Sequence, residues 1–448
     1  MASEISQSVR RLRFLVISLA LVTAAVVPGR ALTPNGPHPD QTPQREILLN
    51  GLRILSTAMP GDRVAVVCVI RAGAMFDPAG KSGVANLTAG LLSAGAGSYT
   101  GERIRGELDD ANASLKVRTT WDAVWIDAEV SPEKLAQLFD VLSLMLSEPR
   151  FAQADVDAAK KIALDHIAAE DASADLTADR QLNRALYGKH TYGRSVWGDA
   201  KTIASITPGD VQSFYNRFYG ANSSVLAVCG PVGFDVTVQL ARIRFGRWSK
   251  RTVVPATFLP PTPAAETRVV VVDRPGTDVP VMRAGFFGPG RTSDDALALM
   301  VLAARLDSSL QQKMPNASAR AAYDLRMLQS PFTLGCEVPV DRLADAITGL
   351  GESLTALQSS PGGTGTHYFM RGATTALVTA HDVAATEFYA GQKLLPDPVD
   401  YVPDEARVSA VARTALRPTA LTVVVVGDGA RISAALKDRF KVEVVSGS

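Results

Sequence analysis

The chain is poor in the residues that most one-chain chemistries require. Among its 448 residues are three cysteines and five histidines. Cys68, Cys229 and Cys336 stand far apart within apolar runs, which excludes a disulfide framework or a thiolate zinc knot and makes them buried thiols. No G-x-S-x-G elbow occurs, and Gly362-Gly363-Thr364-Gly365 lacks the lysine of a phosphate loop. Charge of one sign is missing too: 46 Lys and Arg face 45 Asp and Glu, so no basic surface for a phosphate backbone is expected and nucleic acid is not a partner. No apolar run reaches the roughly 18 to 20 residues of a membrane span; the longest, Phe14 to Val27, is shorter.

That run follows Arg10, Arg11 and Arg13 and ends at Gly29-Arg30-Ala31, the pattern of a cleaved secretory signal over residues 1–31. The chain is therefore expected to be exported, to the periplasm if bacterial, and to touch a membrane only through that segment if it stays uncleaved. Residues 32–45 are proline-rich and polar, a flexible leader. Pro255, Pro260, Pro261 and Pro263 interrupt the patterned chain and mark a linker over 251–267 between two regions, 46–250 and 268–442.

The two regions end alike. Val211, Phe214, Tyr215 and Phe218 give a helical face before the apolar run that closes on Gly230, and Val408, Val411, Ala412 and Ala415 do the same before Gly427. Each position is displaced by 197 without a gap, so the halves read as copies of one fold. Alternation through Val124, Ile126, Ala128 and Val130 predicts a strand, and Leu135, Leu138, Phe139, Leu142 and Met145 predict the helix after it. The fold class is α+β: two homologous α/β-roll halves, each a mixed, mainly antiparallel sheet covered by helices.

The run from Arg71 to Leu92, RAGAMFDPAGKSGVANLTAGLL, is a strand, a Gly/Pro loop and a helix. With Asp155 to Ile167, YGRSVWG at 192–198 and ITPGDV at 206–211, it resembles the pitrilysin/insulinase zinc peptidases, a family that includes processing peptidases and their non-catalytic subunits. The resemblance extends over nearly all of residues 46–440. Active members carry H-x-x-E-H on the helix that begins here at Val84, two imidazoles for zinc and a glutamate as general base. Those positions read Asn86-Leu87-Thr88-Ala89-Gly90, and the further metal glutamate falls on Ala159. The resemblance therefore implies no metal and no catalytic residue in this chain, with zinc only in a partner subunit. His166 with Glu170, and His38, His190, His367 and His381, are too scattered to replace the motif.

In active members an arginine and a tyrosine from the second half face the zinc and polarise the substrate. The matching segment, Leu310 to Tyr323, offers Tyr323 for the tyrosine, Asn316 at the arginine position and Arg320 nearby. The resemblance implies a non-catalytic subunit of a heterodimer, closing a chamber against an H-x-x-E-H partner and helping to hold peptide by strand addition. An exported peptide-binding or assembly module without a proteolytic partner is the alternative, and an autonomous metallopeptidase with an unrecognised site is a third.

Overall fold

Among the described residues, valine-rich runs and 3.6-residue stripes form two six-stranded sheets and their covering helices. A computed structural model describes residues 43–252, 258–315, 317–362, 375–389 and 404–446. The signal segment and most of the leader lie outside these residues, as do His38 and His367.

The first region contains β1 (Gln44–Ile47), β2 (Arg53–Ala58), β3 (Val64–Ile70), a small ribbon of β4 (Gly95–Ala96) and β5 (Tyr99–Thr100), then β6 (Ser114–Thr119), β7 (Val124–Val130) and β8 (Ser224–Gly230). The second contains β9 (Arg268–Asp273), β10 (Val281–Gly288), β11 (Arg320–Tyr323), β12 (Ser330–Glu337), β13 (Thr422–Gly427) and β14 (Lys441–Ser446). Sheet orders are β1-β2-β8-β3-β7-β6 and β11-β12-β10-β13-β9-β14, so five strands of one match five of the other. Even the register repeats: Ala65 pairs with Cys229 and Val281 with Val426. Antiparallel pairs predominate; β2 with β8, β9 with β13, and β9 with β14 are parallel. The sixth strand breaks the symmetry, being the antiparallel β1 before β2 in one half and the parallel β14 from the far end of the chain in the other.

Each sheet is covered on one face by helices of its own half. In the first, Leu138, Phe139, Leu142 and Met145 of the Leu135–Ser147 helix pack on Val66, Cys68, Ile126 and Val228. The opposite faces are covered reciprocally. The Ala174–Tyr187 helix of the first half lays Ala178, Leu182, Leu186 and Tyr187 on Val270, Val272, Val424 and Val426 of the second sheet. The Ala376–Phe388 helix of the second half lays Ala380, Ala384 and Phe388, with Tyr389 beyond it, on Val67, Val69, Val225 and Ala227 of the first. The four contacts of one helix stand 202 positions before those of the other. Burial of such apolar stripes is the main stabilising term, about 25 cal/mol per Å² removed from water, so neither half completes its core alone.

The first strand among the described residues opens at Gln44, inside the expected leader, where Gln44 and Arg45 pair with β2 and the Arg45 guanidinium meets Glu387 at 2.7 Å. Within the expected linker, Phe258 packs against Phe76 and His190.

Candidate functional site

The helix at the family's metal position is short, Val84–Leu91, and its start is fixed by one carboxylate. Asp77 accepts the backbone N–H groups of Gly83 at 2.6 Å and Ala85 at 2.9 Å, ending the Gly/Pro loop and satisfying donors that a helix start leaves open. Gly83 has φ +95°, and a Cβ there would lie 2.8 Å from the Trp197 carbonyl oxygen, so glycine is required on both counts. Burial pushes the Asp77 carboxyl up to about 7, against the pull of its two N–H donors and of Arg194.

On this helix Leu87, Thr88 and Ala89 are buried, Asn86 is half-buried and Gly90 is exposed. A Cβ at Gly90 would meet nothing within 4 Å, so the position opens onto free space. The Gln153–Ala172 helix packs beside it and presents Ala159 to the first-half core. An amide, two methyl groups and a hydrogen atom thus stand where two imidazoles and two carboxylates would be needed, a donor set that does not fit zinc. A one-residue slip brings Lys160, whose Nζ is already tied to the Ala204 and Ile206 carbonyls at 2.8 and 2.9 Å. Among the described residues no group of three His, Cys, Asp or Glu side chains could hold a metal ion.

The remaining described histidines act locally. The His166 ring stacks on Trp197 at 3.8 Å and its Nε2 lies 3.2 Å from Glu170, which Arg180 also approaches. His190 Nδ1 accepts from the Tyr192 N–H at 3.1 Å, and burial lowers its pKa. His381, on the crossing helix of the second half, pairs with Asp127 at 2.9 Å.

β6 lies at the edge of the first sheet, next to the Val84–Leu91 helix, and among the described residues no strand pairs with its outer side. An edge strand of this kind offers backbone groups to which a further strand can add.

Of the residues expected to face that helix from the second half, Tyr323 and Arg320 are each engaged by other groups. Asn316 lies outside the described residues. Tyr323 is 8% exposed in the second-half core, and its hydroxyl donates to the Pro289 carbonyl. Burial raises its pKa, so the group is a packed phenol with its proton already engaged. Arg320 faces Asp175 at 3.3 Å and Asp179 at 3.4 Å, both on the crossing helix of the first half. The buried Arg283 holds the same pair, reaching Asp179 at 2.6 Å. Arg283, Gly335 and Arg320 share one row of the sheet, and the missing side chain at Gly335 lets the Arg283 stem lie across it. These residues fasten the two halves together. The sequence signal for Arg283 was a lone charge within the apolar strand Val281–Gly288, and it was missed.

A second fastening went unread. Asp122, buried in the β6–β7 turn, accepts from the Tyr192 hydroxyl, from the Met327 N–H at 2.9 Å and from the Tyr389 hydroxyl at 3.4 Å. Beside it the Arg326 guanidinium lies 3.8 Å over Trp121.

Residues 53–200 match the family described as insulinase (peptidase family M16), and residues 205–386 match the peptidase M16 inactive domain. A probable mitochondrial-processing peptidase subunit beta of Arabidopsis thaliana is 25% identical over 58% of this chain and 50% of its own. An uncharacterized zinc protease of Mycobacterium tuberculosis is 28% identical over 63% of this chain and 65% of its own. The chain thus spans between half and two thirds of these relatives. Among solved structures, a peptidase M16 inactive domain from Pseudomonas fluorescens superposes with TM-score 0.78 at 17% identity, covering 86% of this chain and 98% of that one. A periplasmic protease of Escherichia coli, PqqL, gives TM-score 0.71 at 13% identity, covering 88% of this chain and 49% of that one.

Proposed function

Because the chain belongs to the insulinase (M16) peptidase family, we propose that it is an exported, non-catalytic subunit that completes the peptide-holding chamber of a partner chain carrying H-x-x-E-H. One observation carries this reading: the helix with Asn86, Ala89 and Gly90 has no imidazole or carboxylate to bind zinc or activate water, yet it stands beside the edge of β6, which no strand pairs among the described residues. A peptide added to that edge would be held by backbone hydrogen bonds with little sequence preference, while the metal and base come from the partner. Zinc then belongs to the partner subunit. Export rests on the basic and apolar start of the chain and on the signal-peptidase pattern at Gly29-Arg30-Ala31. Among the described residues no helix is long and apolar enough to cross a membrane.

The role expected of Tyr323, polarising a substrate carbonyl in trans, is not part of this proposal, because its hydroxyl is committed to Pro289. Residues 32–448 should be purified and tested for zinc content and peptide hydrolysis, alone and with an exported H-x-x-E-H chain encoded nearby. Hydrolysis that appears only in the mixture, or rises there well above the partner's own rate, is the expected result. Stoichiometric zinc with unaided hydrolysis would overturn the proposal.

A further inference from the structure

The near-copy relation of the halves makes each half a control for the other, and one ionic contact is present in the first and absent from the second. Arg53 opens β2 and donates to the carbonyl oxygen of Glu387 at 2.9 Å, at the C-terminal end of the crossing helix. Its counterpart Arg268 opens β9 and donates to the carbonyl oxygen of Ala185, at the same point of the other crossing helix. Cations suit helix C-termini, where carbonyls are left unpaired. In the first half the arginine also has a carboxylate: Glu387 Oε1 lies 3.4 Å from Arg53 and 2.7 Å from Arg45. In the second half the residue answering Glu387 is Ala185, which has no carboxylate.

A cavity of about 570 Å³ adjoins Arg268 there. Its walls include Leu186, Pro263 and Phe287, and two further cations, Arg417 and Lys441, line it. Lys441 stands directly beside Arg268 across the β9–β14 pair, where the first half has Ile47 beside Arg53. Arg417 stands 197 positions after Gly220, so the first half has no side chain at that point. Arg268 and Arg417 donate to the Thr422 hydroxyl and to the Ala185 and Thr414 carbonyls, and among the described residues no carboxylate approaches either one, or Lys441, within ion-pair distance. Glu266 and Glu443 complete the charged lining. Three cations against two anions suit one added carboxylate and disfavour a polyphosphate.

We propose that this cavity binds a monocarboxylate carried on an apolar body, its carboxylate set against Arg268, Lys441 and Arg417 as Glu387 is set against Arg53 and Arg45. The volume falls within the usual range for small-ligand pockets, roughly 300 to 1,000 Å³, and the aliphatic and aromatic walls take the apolar part. A free fatty acid and the C-terminus of an apolar peptide share this chemistry.

The test is calorimetric titration of the full chain with octanoate and N-acetyl-Leu-Leu-Phe, and with their amides octanamide and N-acetyl-Leu-Leu-Phe-amide. Saturable one-to-one binding of either acid, at least about tenfold tighter than its amide, is expected; which acid binds identifies the source. Equal affinity for acid and amide, or no saturable binding of either acid up to about 10 mM, would overturn the proposal. Ala185→Glu restores the internal carboxylate and should weaken acid binding about tenfold while raising Tm. Lys441→Gln, at an exposed position, should weaken it about threefold or more without changing Tm. Unchanged acid affinity in the folded Lys441→Gln protein would also overturn the proposal.

Discussion

Leu182→Ala tests the reciprocal packing most directly. Leu182 is 2% exposed, belongs to the first half in sequence, and packs on the sheet of the second. Truncating a buried leucine costs about 2 to 5 kcal/mol, through lost transfer energy and the cavity left behind. The compact unit runs from Thr42 to Ser448. At ~2.1 cal/mol/K of unfolding entropy per residue, a loss of about 3 kcal/mol lowers Tm by roughly 3 to 4 °C. The expected outcome is a single calorimetric transition displaced by that amount. Amide exchange should accelerate most in β9, β10 and β13, which begin 86, 99 and 240 residues after Leu182 in sequence, rather than in β2, β3 and β8. Phe388→Ala, with a cost of about 3 to 5 kcal/mol, should do the converse and loosen β3 and β8. Two separate transitions, with only one responding to each substitution, would refute the claim that neither half completes its core alone.

Raising the folded-state pKa of Asp77 to about 7, against ~3.9 for an unfolded aspartate, means that the native state keeps its proton longer. Its contribution to stability is full below pH ~4 and is lost as pH rises to about 7, falling by at most roughly 1.4 kcal/mol for each pH unit crossed. Asp77→Asn should flatten that fall, read as the change in urea midpoint between pH 5 and 8; an unaltered slope would refute it. Asn86→His, Gly90→His and Ala159→Glu together should raise bound zinc from none to about one per chain without hydrolysis, because Ala89 supplies no base; metal analysis checks this. Tyr323→Phe should leave turnover in a reconstituted mixture unchanged and lower stability by about 1 kcal/mol, the worth of its hydrogen bond to Pro289. A drop in turnover at unchanged stability would return Tyr323 to the chamber wall.

Much of the fold was legible because it repeats a local pattern. The 197-residue displacement carried into matching strand orders, and the alternation around Ile126 and the stripe through Phe139 became a strand and its covering helix. The loss of zinc ligands was legible for a simpler reason: a metal site requires particular atoms, and Asn86, Ala89, Gly90 and Ala159 do not possess them. The partners of Tyr323 and Arg320 were not legible, because motif position says nothing about what a hydroxyl or guanidinium meets at the end of its side chain. Pro289, Asp175 and Asp179 decided that.

Sequence by itself determined the two-copy architecture and the missing metal donors, since both follow from residue types at fixed spacings. Only the tertiary structure decided that the halves exchange helices, that Arg283 and Asp122 fasten them, and that Arg268 borders an open cavity where Arg53 meets a carboxylate. Those contacts join residues far apart along the chain. Periodicity reports which face of a helix is apolar, but the partner that covers it is chosen by the packing of the whole chain.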